Sequence, residues 1–438
     1  MMRFLAVSSL FLGAVSAQVP DGHYVVSSFH RTQQGPGGLF FVHPRMPGAP
    51  VAVTGLGSDL TGVVNGPNAG ANCVALMDDG ALLVGELAPT GVMLDLHVVV
   101  LAGSSVATDT LIPIGLAASN TIMAGQISQI AVVGGTFAAV ATGGVVNQPP
   151  LSGNPIGLVD VATGIVLPIA SPTIVGRDVN ALAFDPESGQ LFLAAQIGTS
   201  PNYEIYRLPL TGGTAVLLAN LTSVSALAVA SDGTLFAAAS STNVYAIDPT
   251  SGAAALVATV GSNVNGLGLE RATGNPVAVL NNILGSGLFW IAGGTTNLLT
   301  AAIGGVPSGI AVNDSVRSYG SGTSSGIEYE FALAPTPGGL PIAGNSAFAI
   351  RVDASSAAGQ PGLLVGNFAP ADLPLFGVRV LIDPVAPIAI GLFQPGTPVP
   401  FPIPAGFPPL RIYLQSFHPG TGSAPGLAAT AGMLLGTL

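Results

Sequence analysis

The ten residues NVYAIDPTSG, Asn243 to Gly252, decide the fold because near-copies of them recur along the chain. Each copy is an apolar stretch that ends in a turn containing Gly, the pattern of a β-strand in a hairpin. The copies are PIGLVDVATG from Pro155, EIYRLPLTGG from Glu204, GLFWIAGGTT from Gly287 and the weaker GLFFVHPRMP from Gly38 and GVMLDLHVVV from Gly91. In chain order the starts are 53, 64, 49, 39 and 44 residues apart. An irregular period of about 40 to 50 residues is typical of four-stranded β-propeller blades.

Each repeat also carries apolar strands before and after this element. Around the opening stretch, VSALAVAS, DGTLFAAAS and AAALVATV complete four strands between Val224 and Val260. The preceding unit repeats the order in VNALAFD, GQLFLAA, EIYRLPL and TAVLLAN, and the following unit repeats it in VNGLGLE, NPVAVLN, GLFWIAG and TNLLTAA. Three consecutive matches predict a series of four-stranded sheets.

The two ends of the repeat region predict how the series closes. The first unit begins with GHYVVSSF, which matches a second strand, so its own first strand is missing. After the sixth unit stands an orphan first strand, PSGIAVND, at Pro307 to Asp314. If the orphan completes the first unit, two strand edges that invite aggregation are hidden. We therefore predict an all-β chain with a six-bladed β-propeller over residues 22–316, closed by one C-terminal strand and three N-terminal strands.

Three stretches carry a resemblance to a known family. ALAFDPESGQLFLAA, ALAVASDGTLFAAA and VYAIDPTSG resemble the six-bladed β-propeller superfamily of NHL-repeat and gluconolactonase-like proteins, over roughly Gly22 to Asp314. These are the motifs of a blade, and blades occur in proteins of many functions. The resemblance therefore implies a fold and no particular activity.

The pattern changes at Ser318, where SYGSGTSSG predicts a Gly/Ser linker over residues 317–326. Residues 327–438 contain alternating strands such as IEYEFAL, GVRVLID and LRIYLQSF between Pro/Gly turns, which predicts an antiparallel β-sandwich. The run SYGSGT, VLIDP, FPIPAGFPPLRIYLQSF and GLAATAGMLL resembles a C-terminal module appended to secreted bacterial proteins. That resemblance implies an accessory, surface or sorting role.

The first residues have the features of an export signal. Arg3 is followed by an apolar run from Phe4 to Val15 and by small residues at Ser16 and Ala17. We expect a signal peptide at residues 1–17 and a secreted protein that is extracellular, on the cell surface or periplasmic. Every later apolar segment is interrupted by Gly, Pro or polar residues, so we expect no transmembrane span. We also expect the protein to be a monomer.

Composition excludes several classes of function. The chain has 10 basic residues, all Arg, against 21 acidic residues, for a net charge of -11. Nucleic acid is therefore not an expected partner, since phosphate binding needs a basic face. The absence of Lys excludes Schiff-base chemistry on this chain. The single cysteine, Cys73, has no intramolecular partner, and we expect a small buried strand residue.

The first strand of each blade lines the central channel, where propeller ligands commonly bind. Six aligned polar residues stand there as candidate ligand-binding residues: Asn72, Gln129, Asn180, Ser225, Asn265 and Ser308. In the gluconolactonase-like family, comparable positions hold Asn and Asp ligands of a divalent cation, together with a Glu. Here none of the six is acidic, so we predict no cofactor. A calcium ion in the channel is the alternative, and it would need an acid such as Asp178 or Asp59.

Other chemistry-bearing residues give weaker indications. His23, His30 and His43 fall on one predicted hairpin, where packing or surface roles are favoured over a metal pair, and His97 and His418 stand alone. GTSSG matches a nucleophile motif at Ser324, but it lies in the linker without the strand and helix that the motif needs. The Asp-Pro pairs at Asp185, Asp248 and Asp383 favour turn chemistry over catalysis.

These observations favour a secreted binding protein with no predicted catalytic residue. Its partner would be a protein, a glycan or a surface ligand, and the sequence does not choose among them. One alternative is a lactonase-type hydrolase that uses a channel cation to polarise a carbonyl. Another is a structural component of the cell surface, which the Gly/Pro-rich, Lys-free composition fits equally well.

Overall fold

The structure is a computed structural model of the 438-residue chain. It describes residues 19, 23–32, 36–43, 49–63, 69–77, 80–87, 95–113, 126–143, 154–186, 188–198, 200–230, 233–270, 274–281, 287–301, 303–313, 316–319, 329–331, 346, 348–352, 361–375, 378–394, 399–405, 410–419, 427–429 and 432–436. The predicted signal peptide, Ser324 and residues 320–326 of the predicted linker lie outside the described residues. Among the described residues, no helix has both the length and the apolar character needed to cross a membrane.

The first seven strands form one antiparallel sheet, with a short helix before the fourth strand. Their bounds are β1 Tyr24–Phe29, β2 Gly38–Val42, β3 Val51–Ala52, α1 Ser58–Thr61, β4 Gly70–Leu76, β5 Leu82–Leu87, β6 Asp95–Ala102 and β7 Ser105–Pro113. The strand order is β3-β2-β1-β4-β5-β6-β7. β1 and β4 join through one residue pair, Phe29 with Gly70, so the sheet divides there into β1–β3 and β4–β7.

Four further antiparallel sheets follow, each made of four strands consecutive in the chain. The third sheet contains β8 Gln126–Gly134, β9 Phe137–Gly143, β10 Ile156–Asp160 and β11 Ile165–Pro168. The fourth contains β12 Val179–Asp185, β13 Gln190–Gln196, β14 Asn202–Pro209 and β15 Val216–Thr222. The fifth contains β16 Ala226–Val229, β17 Leu235–Ala239, β18 Asn243–Ile247 and β19 Ala254–Thr259. The sixth contains β20 Asn263–Glu270, β21 Asn275–Asn281, β22 Gly287–Ala292 and β23 Thr295–Ala301.

Strand β24, Val306–Val312, returns to the start of the chain and pairs antiparallel with β1. Tyr24 pairs with Val312 and Phe29 with Val306, which makes β24-β1-β2-β3 the order of the first sheet. Two long-range contacts support this closure. Tyr24 Oη donates to Glu270 Oε1 at 2.9 Å, and Asn313 Nδ2 donates to the carbonyl of Val19 at 2.8 Å. The predicted pairing of the orphan strand with the N-terminal sheet is confirmed.

The first strands of the sheets contact one another in cyclic order. β4 contacts β8, β8 contacts β12, and the series continues through β16, β20 and β24 back to β4. Successive four-stranded antiparallel sheets around a ring of first strands are the architecture of a β-propeller. The sheets pack face to face through apolar side chains of neighbouring sheets, as where Leu182 and Ala131 share one buried cluster.

The first strands lie so close together that glycine is required at some contacts. A Cβ atom at Gly309 on β24 would lie 2.9 Å from the Cα of Cys73 on β4 and 2.7 Å from Ser27 Oγ. At Gly266 on β20, a Cβ would lie 3.0 Å from the carbonyl oxygen of Ser308. Cys73 itself is buried, and burial raises the pKa of its thiol to about 12, so it is the inert strand residue that the sequence predicts.

A recurring turn, Asp-x-x-Ser/Thr-Gly, explains the Asp-Pro pairs at Asp248 and Asp185, and Asp383 makes a related turn. Asp248 Oδ1 accepts the backbone N–H of Thr250 at 2.8 Å, and Oδ2 accepts the Ser251 hydroxyl at 2.7 Å. Gly252 closes the turn at φ 73°, where a Cβ would lie 2.1 Å from the carbonyl oxygen of Leu218. Asp185 accepts the Ser188 hydroxyl in the same way, and Asp383 Oδ1 accepts the N–H of Val385 at 2.9 Å. The turn role predicted for these residues is confirmed.

The C-terminal part of the chain is also built of antiparallel strands. Their bounds are β25 Val316–Tyr319, β26 Tyr329–Phe331, β27 Ala349–Val352, β28 Gly362–Asn367, β29 Pro370–Leu375, β30 Val378–Ile382, β31 Ile388–Phe393, β32 Val399–Pro400, β33 Arg411–Pro419, β34 Leu427–Ala429 and β35 Gly432–Gly436. The largest sheet has the order β25-β35-β33-β28-β31, with β34 beside β33, and the smaller sheets are β26-β27-β32 and β29-β30. Ile350 of the three-stranded sheet shares a buried core with Leu364 and Leu414 of the largest one.

Strand β25 alters the predicted boundary between the two parts. Composition predicts that residues 317–319 belong to the linker, but in the structure they pair with β35 in the C-terminal sheet. Tyr319 pairs with Gly432 and Val316 with Leu435. Only residues 313–315 separate β24 from β25, so the last strand of the propeller leads almost directly into the C-terminal sheet.

Candidate functional site

Four of the six residues predicted to line the channel share an irregular backbone position. At Asn72, Asn180, Asn265 and Ser308 the strand register slips by one residue, so each is the extra residue of a β-bulge. A bulge turns the side chain of the extra residue away from the regular alternation of the strand. These side chains are therefore aimed along the ring of first strands.

Four of the six predicted side chains, and that of Ser128 beside Gln129, donate a hydrogen bond to the neighbouring first strand. Each bond runs from a side chain to a backbone carbonyl oxygen: from Asn72 to Ile127, from Ser128 to Val179, from Ser225 to Val264, from Asn265 to Pro307 and from Ser308 to Ala71. The distances range from 2.5 Å for Ser128 to 3.2 Å for Ser308. In every case the acceptor directly precedes the residue of the next first strand that aligns with the donor. Ile127, which accepts from Asn72, directly precedes Ser128, for example. We call these five bonds the inner ring.

One predicted channel residue is displaced by a single position. In β8 the register slips between Ile127 and Gln129, so the bulged residue is Ser128. Ser128 also makes the inner-ring bond to Val179, whereas Gln129 pairs regularly with Ala141. The bulge itself has no sequence signature here, because both Ser128 and Gln129 are polar and uncharged.

Asn180 is the exception to the inner ring. Its Nδ2 donates to Tyr203 Oη at 2.5 Å within its own sheet and not to the next first strand. Asp178 lies two residues earlier, and its Oδ1 is buried without a hydrogen-bond partner. Burial and the charge of Asp178 raise the pKa of Tyr203, which keeps this phenol neutral. The break in the ring thus coincides with an unsatisfied acceptor.

Charged and aromatic side chains border this break on the same sheet. The Arg177 guanidinium forms an ion pair with Glu204 and donates to Tyr206 Oη at 3.2 Å. The Arg177 side chain is 30% exposed and that of Glu204 20%, so the pair lies at the surface. Hydrogen bonding to Tyr206 and Arg177 lowers the pKa of Glu204. We call Arg177, Asp178, Asn180, Tyr203 and Glu204 the β12–β14 rim.

A second polar group lies on the sheet β4–β7 and was not found from the sequence. It consists of Asp59 on α1, Glu86 on β5, His97 on β6 and Asp109 on β7, which we call the His97 cluster. His97 is 3% exposed and its Nδ1 lies 2.9 Å from Asp109 Oδ1, so Nδ1–H donates to that carboxylate. Its Nε2 lies 3.7 Å from Asp59 Oδ2 and 3.9 Å from Glu86 Oε2.

Strand register explains why these side chains meet. His97 pairs with Val84, and Glu86 lies two residues beyond Val84 on the same face of the sheet. On its other side His97 pairs with Leu111, and Asp109 lies two residues from Leu111 on that face. Asp59 is brought over this face by α1, which is held in the core by the fully buried Leu60.

The carboxylates control the charge of His97. Burial lowers the pKa of the imidazole, but Glu86, Asp109 and Asp59 raise it more, so the pKa of His97 rises to about 9. The 3.9 Å separation is too long for a hydrogen bond to Glu86, which therefore acts through its charge. Nε2 itself is buried and has no hydrogen-bond partner.

The expectation that His97 and His418 stand alone is wrong. His97 has the carboxylates described above, which come from different strands and from a helix that no sequence pattern links to it. His418 is buried on β33, with its Nε2 2.7 Å from Ser416 Oγ. The hairpin β6–β7, with its tight turn after Ala102, was the one signal that could have placed Asp109 on the same face as His97.

The remaining histidines do not join either polar group. His23 and His43 lie at the ends of β1 and β2, with ring centroids 4.9 Å apart in an edge-to-face arrangement. His30 Nδ1 lies 3.1 Å from the carbonyl oxygen of Gly62. Among the described residues, the group of three or more His, Cys, Asp or Glu side chains close enough together to hold a metal ion is Asp59, Glu86 and His97.

Comparison with known proteins gives similarity in structure only. No family model and no curated protein matches the sequence. The chain is similar to a structure of the nidogen/laminin complex, with a TM-score of 0.49 and 12% identity over 67% of this chain and 99% of that chain. It is similar to TolB from Acinetobacter baumannii, with a TM-score of 0.47 and 14% identity over 67% of each chain. It is also similar to Kuenenia stuttgartiensis hydrazine synthase, with a TM-score of 0.39 and 14% identity over 65% and 80%.

Proposed function

We propose that the protein is a secreted binding protein, built on a six-bladed β-propeller with a C-terminal β-sandwich, and that its ligand binds at the β12–β14 rim. The blade count is supported by the six first strands that contact one another in cyclic order. The β-sandwich is supported by the buried core that two C-terminal sheets share.

The observation that carries the binding site is the unsatisfied Asp178 Oδ1 at the break in the inner ring. A buried acceptor without a partner costs about 1–3 kcal/mol, which a ligand donor group would recover. Elsewhere the inner-ring side chains are already hydrogen-bonded to backbone carbonyls. At the rim, in contrast, a buried side-chain oxygen lacks a hydrogen-bond partner and can accept a hydrogen bond from another molecule.

The composition of the rim fits the recognition of a protein or a glycan. Arg and Tyr are the residue types that most often dominate binding energy at protein interfaces. The rings of Tyr203 and Tyr206 are buried and support the rim, whereas Arg177 and Glu204 are partly exposed. Asp178 and Glu204 can accept hydrogen bonds from ligand hydroxyl or amine groups, and Arg177 can donate them. The lactonase alternative finds less support, because the side-chain amides of Asn72 and Asn265 donate to backbone carbonyls of the neighbouring first strands.

The test is a binding screen of the mature chain against glycan and protein arrays, with culture-supernatant and envelope fractions in parallel. We expect a soluble, secreted protein that binds a defined ligand, and Asp178→Ala and Arg177→Gln variants that lose this binding while remaining folded. The melting temperature of Asp178→Ala should not fall below that of the natural chain, because the substitution removes an unpaired buried acceptor. Arg207→Gln is the matched control, because Arg207 Nη1 lies 3.5 Å from the carbonyl oxygen of Pro249, at the other end of its strand.

Two outcomes would contradict the proposal. Binding that survives both rim variants would move the site elsewhere on the molecule. A protein found only in the insoluble envelope fraction would favour the structural role instead.

A further inference from the structure

The His97 cluster has the donor set of a metal site. We propose that His97 Nε2 and the carboxylates of Glu86 and Asp59 bind a divalent transition-metal ion of the zinc class, with Asp109 holding the imidazole in position. The three ligand atoms lie within 4.8 Å of one another. They come from β6, β5 and α1, so they converge from two strands and the helix that covers them.

The orphaned Nε2 is the observation that points to a ligand. Nδ1–H donates to Asp109, which directs the Nε2 lone pair of a neutral imidazole towards two carboxylates that cannot donate to it. If His97 is protonated instead, its Nε2–H faces oxygens at 3.7 and 3.9 Å, beyond hydrogen-bond distance. In both protonation states Nε2 is left without a hydrogen-bond partner, and a metal ion is a group that the imidazole and both carboxylates can bind together.

The distances fit a small metal ion after a minor adjustment. Ligand atoms about 2.1 Å from a tetrahedral zinc ion lie roughly 3.4 Å apart. The observed separations from Nε2, 3.7 and 3.9 Å, exceed that by a few tenths of an ångström. Asp59 stands on a four-residue helix and its side chain is 41% exposed, so it has room to close the gap.

The chemistry of the donors selects the class of ion. An imidazole nitrogen with carboxylate oxygens suits zinc and its first-row neighbours, whereas calcium and magnesium prefer oxygen ligands throughout. A neutral His97 and two carboxylates also balance the charge of a divalent ion. The bond from Nδ1–H to Asp109 is the outer-shell contact that metal-binding histidines usually make.

The surroundings leave one side of the site accessible. His97 and Glu86 are buried, and Asp59 lies at the surface end of the cluster. Three protein ligands leave a fourth tetrahedral position for water or another small ligand on that side. None of the six predicted channel residues contributes a ligand, and Asp59, which the sequence offers as an acid for a channel cation, faces His97 instead.

The experiment measures zinc binding to the mature chain after chelator treatment, by isothermal titration calorimetry and by the shift in melting temperature. We expect one zinc ion per chain and a higher melting temperature with zinc. His97→Gln and Glu86→Gln should lose more affinity than the roughly 10- to 100-fold that loss of an outer-shell partner costs. Cobalt substituted for zinc should give a visible spectrum with nitrogen and oxygen ligation.

Two further variants keep the result interpretable. Asp59→Asn changes a partly exposed side chain and should fold normally, yet weaken zinc binding and leave the fold unchanged by circular dichroism. The double variant His23→Gln/His43→Gln removes two histidines that lie close together outside the proposed site, and it should bind zinc as the natural chain does. Absence of zinc binding, or binding that is lost in the double variant and kept in Asp59→Asn and Glu86→Gln, would overturn the proposal.

Discussion

The inner ring and the His97 cluster are both polar groups packed between sheets, but they differ in charge and in completeness. The inner ring uses neutral amides and hydroxyls, and each donor meets a backbone carbonyl of the next sheet. The His97 cluster gathers four titratable side chains and leaves a buried nitrogen without a hydrogen bond. Neutral donors that are fully matched hold sheets together, whereas an incomplete charged group retains the capacity to bind.

The largest expected effect concerns the close approach on which the inner ring depends. In Gly309→Ala the added Cβ would meet the Cα of Cys73 at 2.9 Å, so β24 and β4 must separate. We expect the free energy of unfolding to fall by about 3 kcal/mol, measured by urea denaturation. Gly261→Ala is the control, since a Cβ there meets no atom within 4 Å. Equal stabilities of the two variants would show that the first strands tolerate wider spacing.

The second effect concerns the His97 cluster. Asp109→Asn keeps the shape of the side chain but weakens the bond that orients His97 Nδ1. Zinc affinity should fall by roughly 10- to 100-fold, as measured by calorimetry. The inner ring lies on other strands, so the urea midpoint of the zinc-free protein should change much less than in Gly309→Ala. Undiminished affinity would remove Asp109 from the metal site.

The third effect is a pH dependence that only the charged group should show. His97 has a pKa of about 9 in the folded protein against 6.5 for an ordinary histidine, so its protonation stabilises the fold fully below pH 6.5. This contribution, on the order of 2 kcal/mol, is lost as the pH rises from 6.5 through 9. Urea denaturation across that range should show the decline in the zinc-free chain and not in His97→Gln. The same decline in both proteins would assign it to another group.

The smallest effect separates members of the predicted channel set. Asn265→Ala removes a hydrogen bond between two sheets and leaves the carbonyl oxygen of Pro307 without that donor. We expect the free energy of unfolding to fall by about 1–2 kcal/mol. Asn180→Ala removes a bond within one sheet and should cost less, while changing ligand binding at the β12–β14 rim. A larger loss of stability in Asn180→Ala would contradict the distinction between ring and rim.

The strands could be predicted from the sequence because their signals are local. Apolar stretches ending in Asp/Gly turns repeat along the chain, and the orphan strand that became β24 has the composition of a first strand. The position of the bulge in β8 could not be predicted, because it depends on how the next sheet presents the carbonyl of Val179. For this reason Ser128, and not the predicted Gln129, occupies the bulge and donates to the next sheet.

The His97 cluster was missed for a different reason. Its members lie on three strands and a helix, and they meet only when the hairpin registers and the position of α1 are both fixed. Asp59 was considered as an acid for the channel, but α1 directs it towards His97. A histidine that is isolated in the sequence gives no sign of a carboxylate 38 residues away that packing brings within 4 Å.

The pairing of β24 with β1 has a consequence for the order of folding. Ser27 and Ser308, which meet in this pair, are 281 residues apart in the sequence. The edge of β1 that pairs with β24 therefore stays unpaired until residues 306–312 of the 438-residue chain have been synthesised. Contacts of such high sequence separation form late and slowly, since the loop entropy must be overcome before they stabilise anything. Ring closure is accordingly the expected slow step, and the unfinished chain is the form most in need of protection from aggregation.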